Sequence, residues 1–305
     1  MLILPSRRQL LTGLGAAGVA AATGVYAFDI EPLHRLVVTR YAPSLPGWKA
    51  GPALRIAVLA DFHVCEPFMP FDRVAEIVEA TNALRPDLIL MLGDYPAGEV
   101  AWRHLPLIDF ARIVEGLKAP LGTYSILGNH DWWDDPKVQA DLGGTPEVKG
   151  ILEARGIPVL HNDVLRLEKD GAPFWLAGLG DQEPFRYRDN WRGVDDLPGT
   201  LAKVTDDAPV LLMAHEPRIF PKVPDRVALT LSGHTHGGQV RLFGHSPAIR
   251  RIAGHDLSYG HVTIGDRHLI ISGGFGVSRI PVRLGVPPEI VLVELGQSAP
   301  AATTS

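Results

Sequence analysis

The run Gly128-Asn129-His130-Asp131 constrains this chain more than any other four residues. It follows the apolar stretch Thr123-Tyr124-Ser125-Ile126-Leu127, of which Tyr124–Leu127 reads as a strand. An amide, an imidazole and a carboxylate packed into one turn past a strand make a poor core element, because each needs a polar partner once buried. The run is therefore read as a site, and the other strands must deliver groups of complementary chemistry to it.

They end in the right residues. Leu54–Ala60 leads to Asp61-Phe62-His63, Leu88–Leu92 to Gly93-Asp94, Val210–Ala214 to His215, and Val227–Leu231 to Gly233-His234-Thr235-His236. Phe71–Leu84 and Ile108–Leu117 lie between the first strands with apolar residues at helical spacing, and Pro86 stops the former. Strand, helix, strand, helix, strand is the pattern of a parallel βαβ core, in which ligands bind beyond the carboxyl ends of the strands. Leu36–Thr39 adds an early strand, Glu147–Arg155 a helix, and Val164–Leu167, Phe174–Ala177, Leu269–Ser272 and Ile290–Val293 further strands. That count fits an α/β fold of four layers, an α/β/β/α sandwich of two mixed sheets packed face to face with flanking helices.

No linker or charge block divides the 305 residues, and 46% hydrophobic content is ample for one large globular domain. A net charge of -5 offers no general attraction to nucleic acid, so none is expected as a partner. Cys65 is the sole cysteine, which excludes an intramolecular disulfide and a Cys-based zinc site. The donors at the strand ends are Asp61, His63, Asp94, Asn129, His215, His234 and His236, with His130 and Asp131 left over. Oxygen and imidazole donors without thiolate suit Mn, Fe or Zn. Seven donors exceed what one ion takes. Two divalent ions sharing a carboxylate fit better, and two metals roughly 3.5–4 Å apart can clamp a phosphorus centre during in-line displacement.

In this order the motifs D-x-H, G-D, G-N-H-D, H and G-H-x-H resemble the calcineurin-like metallophosphoesterase family, from Asp61 to His236. The resemblance implies Asp61, His63 and His236 on the first metal, Asn129, His215 and His234 on the second, and Asp94 bridging them. It implies a bridging water or hydroxide as nucleophile. It also implies that His130 acts near the scissile phosphate, with Asp131 orienting its ring. The implied activity is dinuclear metal-dependent phosphodiester hydrolysis, with a phosphomonoesterase or a non-catalytic metal-binding scaffold as the weaker readings.

Ser6-Arg7-Arg8-Gln9-Leu10-Leu11 precedes an uncharged, small and apolar stretch up to Phe28. This resembles a twin-arginine export signal, with the twin-arginine translocase as partner, and Val25-Tyr26-Ala27 offers a cleavage point. The alternatives are an uncleaved membrane anchor and a buried N-terminal helix. The expected division is a leader over 1–28, a catalytic domain over 50–295 and a disordered tail over 296–305. With the leader, the motifs resemble a bacterial subgroup of exported or membrane-attached phosphodiesterases, which places the chain at the inner membrane, on its periplasmic side. Relatives that cleave the pyrophosphate of UDP-2,3-diacylglucosamine in lipid A assembly supply the alternative substrate, with the leader then an uncleaved anchor at the cytoplasmic face. Trp132, Trp133 and the stretch Phe185–Arg192 are read as pocket or packing residues, Arg250, Arg251 and His245 as equally ambiguous, and Cys65 as a small buried apolar side chain.

Overall fold

The computed structural model describes residues 6–98, 102–187, 190–247, 251–252 and 254–296. Arg188, Asp189, Arg250 and the expected tail beyond Gly296 lie outside the described residues. The strands of the two main sheets are β1 (Val37–Tyr41), β2 (Leu54–Leu59), β3 (Leu88–Met91), β4 (Thr123–Ser125), β5 (Asp163–Lys169), β6 (Ala172–Gly178), β7 (Val210–Met213), β8 (Val227–Ser232), β9 (Gly260–Ile264), β10 (Arg267–Ile271) and β11 (Glu289–Leu295). The helices are α1 (Arg7–Val25), α2 (Phe71–Ala83), α3 (Leu107–Val114), α4 (Asn129–Trp133), α5 (Pro136–Asp141), α6 (Glu147–Glu153) and α7 (Leu197–Ala202).

The first sheet runs β1-β11-β2-β3-β4, with β2, β3 and β4 parallel and β11 antiparallel to β2. The second runs β9-β10-β8-β7-β6-β5, parallel through its four central strands. Alternation along each strand divides the core. Leu54, Ile56 and Val58 of β2 meet Leu211, Met213, Leu229 and Leu231 of β7 and β8 between the sheets. The alternate residues Ala57 and Leu59 face outward onto Val74 and Ile77 of α2 and Phe110 of α3. On the far side, Val210, Leu212 and Leu269 are covered by Leu197 of α7 and by Ile219 and Phe220 of a short 3₁₀ turn. The expected four layers are present, the outermost of them thin.

Because β2, β3, β7 and β8 are parallel within their sheets, their carboxyl ends bring the expected motifs to one edge. Two local features differ from expectation. The strand feeding the opening motif stops at Ser125, and Asn129 opens helix α4 instead of a turn. The edge strand β9 lies over Gly260–Ile264, where a glycine and a histidine break the apolar run that sequence pattern relies on.

α1 begins with a capping box, in which the Ser6 hydroxyl accepts the Gln9 N–H and the Gln9 side chain accepts the Ser6 N–H at 2.9 Å. It passes without a break into a π-helical stretch, Tyr26–His34. Together they are long and apolar enough to cross a membrane, by length and composition. α1 is exposed, but Ala27 and Glu31 are buried. Arg283 N–H donates to the Ala27 carbonyl at 2.9 Å, and Val286 N–H to the Glu31 carboxylate at 2.7 Å. The expected leader boundary at residue 28 therefore falls inside a helix that is already docked on the domain.

Candidate metal centre

The expected donors follow strand ends, and at five of the seven the backbone turns sharply. Asp61, His63, Asp94, His234 and His236 all have φ between 48° and 71°, a conformation that side-chain-bearing residues rarely adopt. Such strain persists only where surrounding structure enforces it. Gly93 has φ 95°, and a Cβ there would lie 2.3 Å from Gly128 N, so the Gly-Asp and Gly-Asn-His-Asp loops touch backbone to backbone.

Asp94 stands at the middle. Its Oδ2 lies 3.6 Å from His63 Nε2 and 3.1 Å from His215 Nε2, while Oδ1 accepts the His130 N–H at 2.8 Å. On one side, ligand atoms of Asp61, His63 and His236 lie within 4.8 Å of one another, and on the other those of Asp94, His215 and His234 do so. Asn129 adjoins the second group, its Oδ1 2.7 Å from His234 Nδ1. A third grouping brings ligand atoms of His63, Asp94 and His130 within 4.8 Å of one another.

The imidazoles are oriented from behind. His63 Nδ1 lies 2.9 Å from the Pro96 carbonyl and His215 Nδ1 2.6 Å from the Leu92 carbonyl, which makes each Nδ1–H a donor and turns Nε2 into the site. Burial, with the neighbouring His130, pushes His63 down to about 3, and burial also lowers His234 to about 3, so both rings are neutral at ordinary pH. Burial pushes the Asp61 carboxyl up to about 7, the Asp94 charge adding to it and His215 opposing it. Burial works against a charged His215, yet the Asp94 and Asp61 carboxylates raise it well above the usual imidazole range.

The donor set fits divalent cations. Asp61 Oδ2 and His215 Nε2 are buried without a hydrogen bond, the latter close to Asp94 but out of line for one. His63 Nε2 and His236 Nε2 face each other at 3.1 Å. Lone pairs converging in this way on buried space are what a cation satisfies.

Asp131 is placed differently from the expectation that it orients His130. Its Oδ2 accepts the N–H groups of Gly128 and Asp94 at 2.8 and 2.9 Å, and its Oδ1 accepts that of Tyr95 at 3.1 Å. The carboxylate ties the two ligand loops together. The His130 ring instead faces Asp134, the residue that caps α4 one turn on, with Nδ1 3.4 Å from Oδ2, an ion-pair distance without a hydrogen bond. Reading the motif as a turn hid this i,i+4 pair.

Arg283 carried no signal in the sequence. It is fully buried, its guanidinium donating to the Gly273, Gly276 and Val286 carbonyls, with Nη2 3.4 Å from His236 Nδ1. Trp133 stacks on Trp191 at 5.1 Å and 18°, which brings the aromatic loop to the cleft, whereas Trp132 is buried edge-on to Phe185. Cys65 is fully buried, and His245 and Arg251 are exposed. The cleft above Asp94 has a volume of 290 Å³ and extends past His130 and Trp133 to Gln239, Ser278 and Arg279.

The family model for calcineurin-like phosphoesterases matches residues 54–238, which span every donor from Asp61 to His236. The chain belongs to the calcineurin-like phosphoesterase family. It is a metallophosphoesterase, a hydrolase of phosphoric esters. It is 31% identical to the uncharacterized metallophosphoesterase YkuE of Bacillus subtilis, over 95% of this chain and 97% of that one. It is 28% identical to the phosphodiesterase YaeI of Escherichia coli, over 95% and 99%. A Danio rerio transmembrane protein with a metallophosphoesterase domain is 30% identical over 80% of this chain, which spans about half of that longer protein, 54%.

Proposed function

We propose that this metallophosphoesterase is a two-metal phosphodiesterase held at a membrane by α1. The observation that carries the metal reading is Asp94 Oδ2 lying between His63 and His215. Asp61, His63 and His236 would hold the first ion, Asn129, His215 and His234 the second, and Asp94 would be shared. Mn, Fe and Zn suit these donors. When bound, the pair supplies a water made nucleophilic near neutral pH and charge stabilisation on the phosphoryl oxygens.

The chain's own residues do the rest. Carbonyls of Leu92 and Pro96 keep the ligand imidazoles aimed, and Asp131 fixes the spacing of the two loops. His130 stands beside the shared carboxylate, where it donates a proton to the leaving oxygen, and Asp134 holds its ring. Trp133, backed by the stacked Trp191 ring, walls one side of the cleft. Space toward Gln239 and Arg279 accommodates the second esterified group that a diester carries, which agrees with the name of the YaeI relative.

For the N-terminus, the paired arginines engage the twin-arginine translocase and α1 then stays in the inner membrane with the domain on the periplasmic side. Cleavage near Val25–Ala27 would cut a segment whose Ala27 carbonyl and Glu31 carboxylate are built into the domain. The intact mass of the membrane-extracted chain tests this, since loss of the first 27 residues contradicts it. The activity is tested with the Mn-loaded full chain on bis-p-nitrophenyl phosphate against p-nitrophenyl phosphate. Diester preference is expected, and monoester preference defeats the reading.

A further inference from the structure

We propose that the mouth of the active-site cleft is a membrane-docking surface that lies on the bilayer carrying α1, so that the enzyme acts on phosphoesters presented at the lipid headgroup layer. The proposal rests on α1 being a retained anchor, and it adds where the catalytic domain faces.

The geometry begins at the anchor junction. Arg283 N–H on the Ala27 carbonyl and Val286 N–H on Glu31 fasten the end of the apolar helix to the stretch 276–286. That stretch borders the cleft through Ser278 and Arg279. Leu284 pairs with the neighbouring loop, accepting the Arg241 N–H at 2.8 Å and donating to the Gln239 carbonyl at 2.8 Å, and Gln239 Nε2 donates to the Ile280 carbonyl at 3.1 Å. Anchor junction, cleft rim and the turn after Arg241 are thus one bonded unit.

This unit carries the apolar side chains. Phe243 stands at a turn tip, 101% exposed, with Leu242 beside it at 53%, and Ile280 follows Arg279 at 57%. Phe28 and Ile30 are exposed on the junction itself. Among the described residues outside the N-terminal segment, the other exposed large apolar side chains are Val38, Ile108, Leu142 and Trp191, which this bonding does not connect. A phenylalanine left fully in water forgoes the burial that insertion into a bilayer interface recovers. The turn is held stiff, since the Arg241 guanidinium donates to the Gly244 carbonyl at 2.5 Å and to Ser258 Oγ at 2.8 Å. A rigid tip inserts at low ordering cost. The exposed Arg279 at the cleft rim adds a cation at headgroup depth. The bilayer is the occupant the structure favours because the chain's own apolar helix leaves the domain at this rim.

The test uses the full chain in phosphatidylcholine vesicles, in a Cys65→Ala background, with a polarity-sensitive fluorophore on a single introduced cysteine. Leu14→Cys reports whether α1 is in the bilayer, and Phe243→Cys reports docking. Asp170→Cys, at the β5–β6 turn on the far end of the sheets, is the reference. The expected result is a blue-shifted emission for the labels at 14 and 243, quenched at least twofold by nitroxide lipids, with the label at 170 unaffected. A shielded label at 14 with a label at 243 that behaves like the one at 170 overturns docking and leaves the anchor intact. Exposure of both overturns anchor and docking together. Neither readout depends on catalysis, so failure of the phosphodiesterase reading is separately visible.

Discussion

Gly128 is not a ligand, yet the geometry makes it the sharpest test of how the metal loops are packed. A Cβ added there would lie 2.5 Å from Asp94 Oδ1 and 2.5 Å from His215 Cε1, where ordinary contact begins at 3.4 Å. Its φ of -110° suits alanine, so backbone strain is not the issue. Relief requires the Asp94 carboxylate and His215 each to draw back by about 0.9 Å, the difference of the two distances. Overpacking of this kind costs about 1–3 kcal/mol, which lowers the melting temperature by a few degrees without unfolding the chain. Metal distances, however, tolerate only about 0.2 Å. Misplacement by about 1 Å costs on the order of a hundredfold in rate. Gly128→Ala should therefore keep its circular dichroism, lose its second metal by elemental analysis and turn over diester about a hundredfold more slowly. Gly150→Ala in α6, where an added Cβ meets nothing, should be neutral or more stable by about 0.5–1 kcal/mol. A Gly128→Ala enzyme with wild-type metal content and rate would refute the packing described for Asp94 and His215.

Asp134→Asn should slow hydrolysis of diesters with poor leaving groups about tenfold while both metals stay bound; equal slowing of good and poor leaving groups would remove Asp134 from the role of holding His130. Metal affinity should rise with pH. Asp61, pushed up to about 7, is protonated below that value, so each ion bound there must expel a proton, and apparent affinity falls by up to about tenfold per pH unit below 7. The raised His215 extends the competition upward, and calorimetry in buffers of different ionisation enthalpy should register net proton release; pH-independent affinity from 5.5 to 8 would contradict it. Arg283→Met leaves the buried Gly273, Gly276 and Val286 carbonyls without their donor, at about 1–3 kcal/mol each where water cannot reach. Denaturation in detergent should show that loss, and an unchanged midpoint would mean that the loop holds itself.

The succession of strands and helices along the chain, the layers and the position of the site at one sheet edge were legible because buried strands advertise themselves as apolar runs and the donors follow each run directly; the order of strands within each sheet was not. Expected and observed bounds agree within a few residues for β2, β3, β7 and β8, whose alternate faces are both buried. The partner of His130 was not legible. A carboxylate next to a histidine in sequence looks like its partner, but Asp131 points back at three backbone N–H groups created by the meeting of two distant loops. Arg283 was hidden for the same reason. Its partners are carbonyls, which every residue has, and only the tertiary path of 273–286 shows which ones face inward. The left-handed backbone at five of the donors likewise left no trace in residue type, since none of them is glycine.

The central claim is that two ions share Asp94, and Mn(II) electron paramagnetic resonance tests it directly. The loaded full chain should bind two ions and show the multiline signal of an exchange-coupled pair, and Asp94→Asn should reduce it to isolated Mn(II) with activity lost in parallel. A wild-type chain showing only uncoupled Mn(II) at full activity would contradict the account.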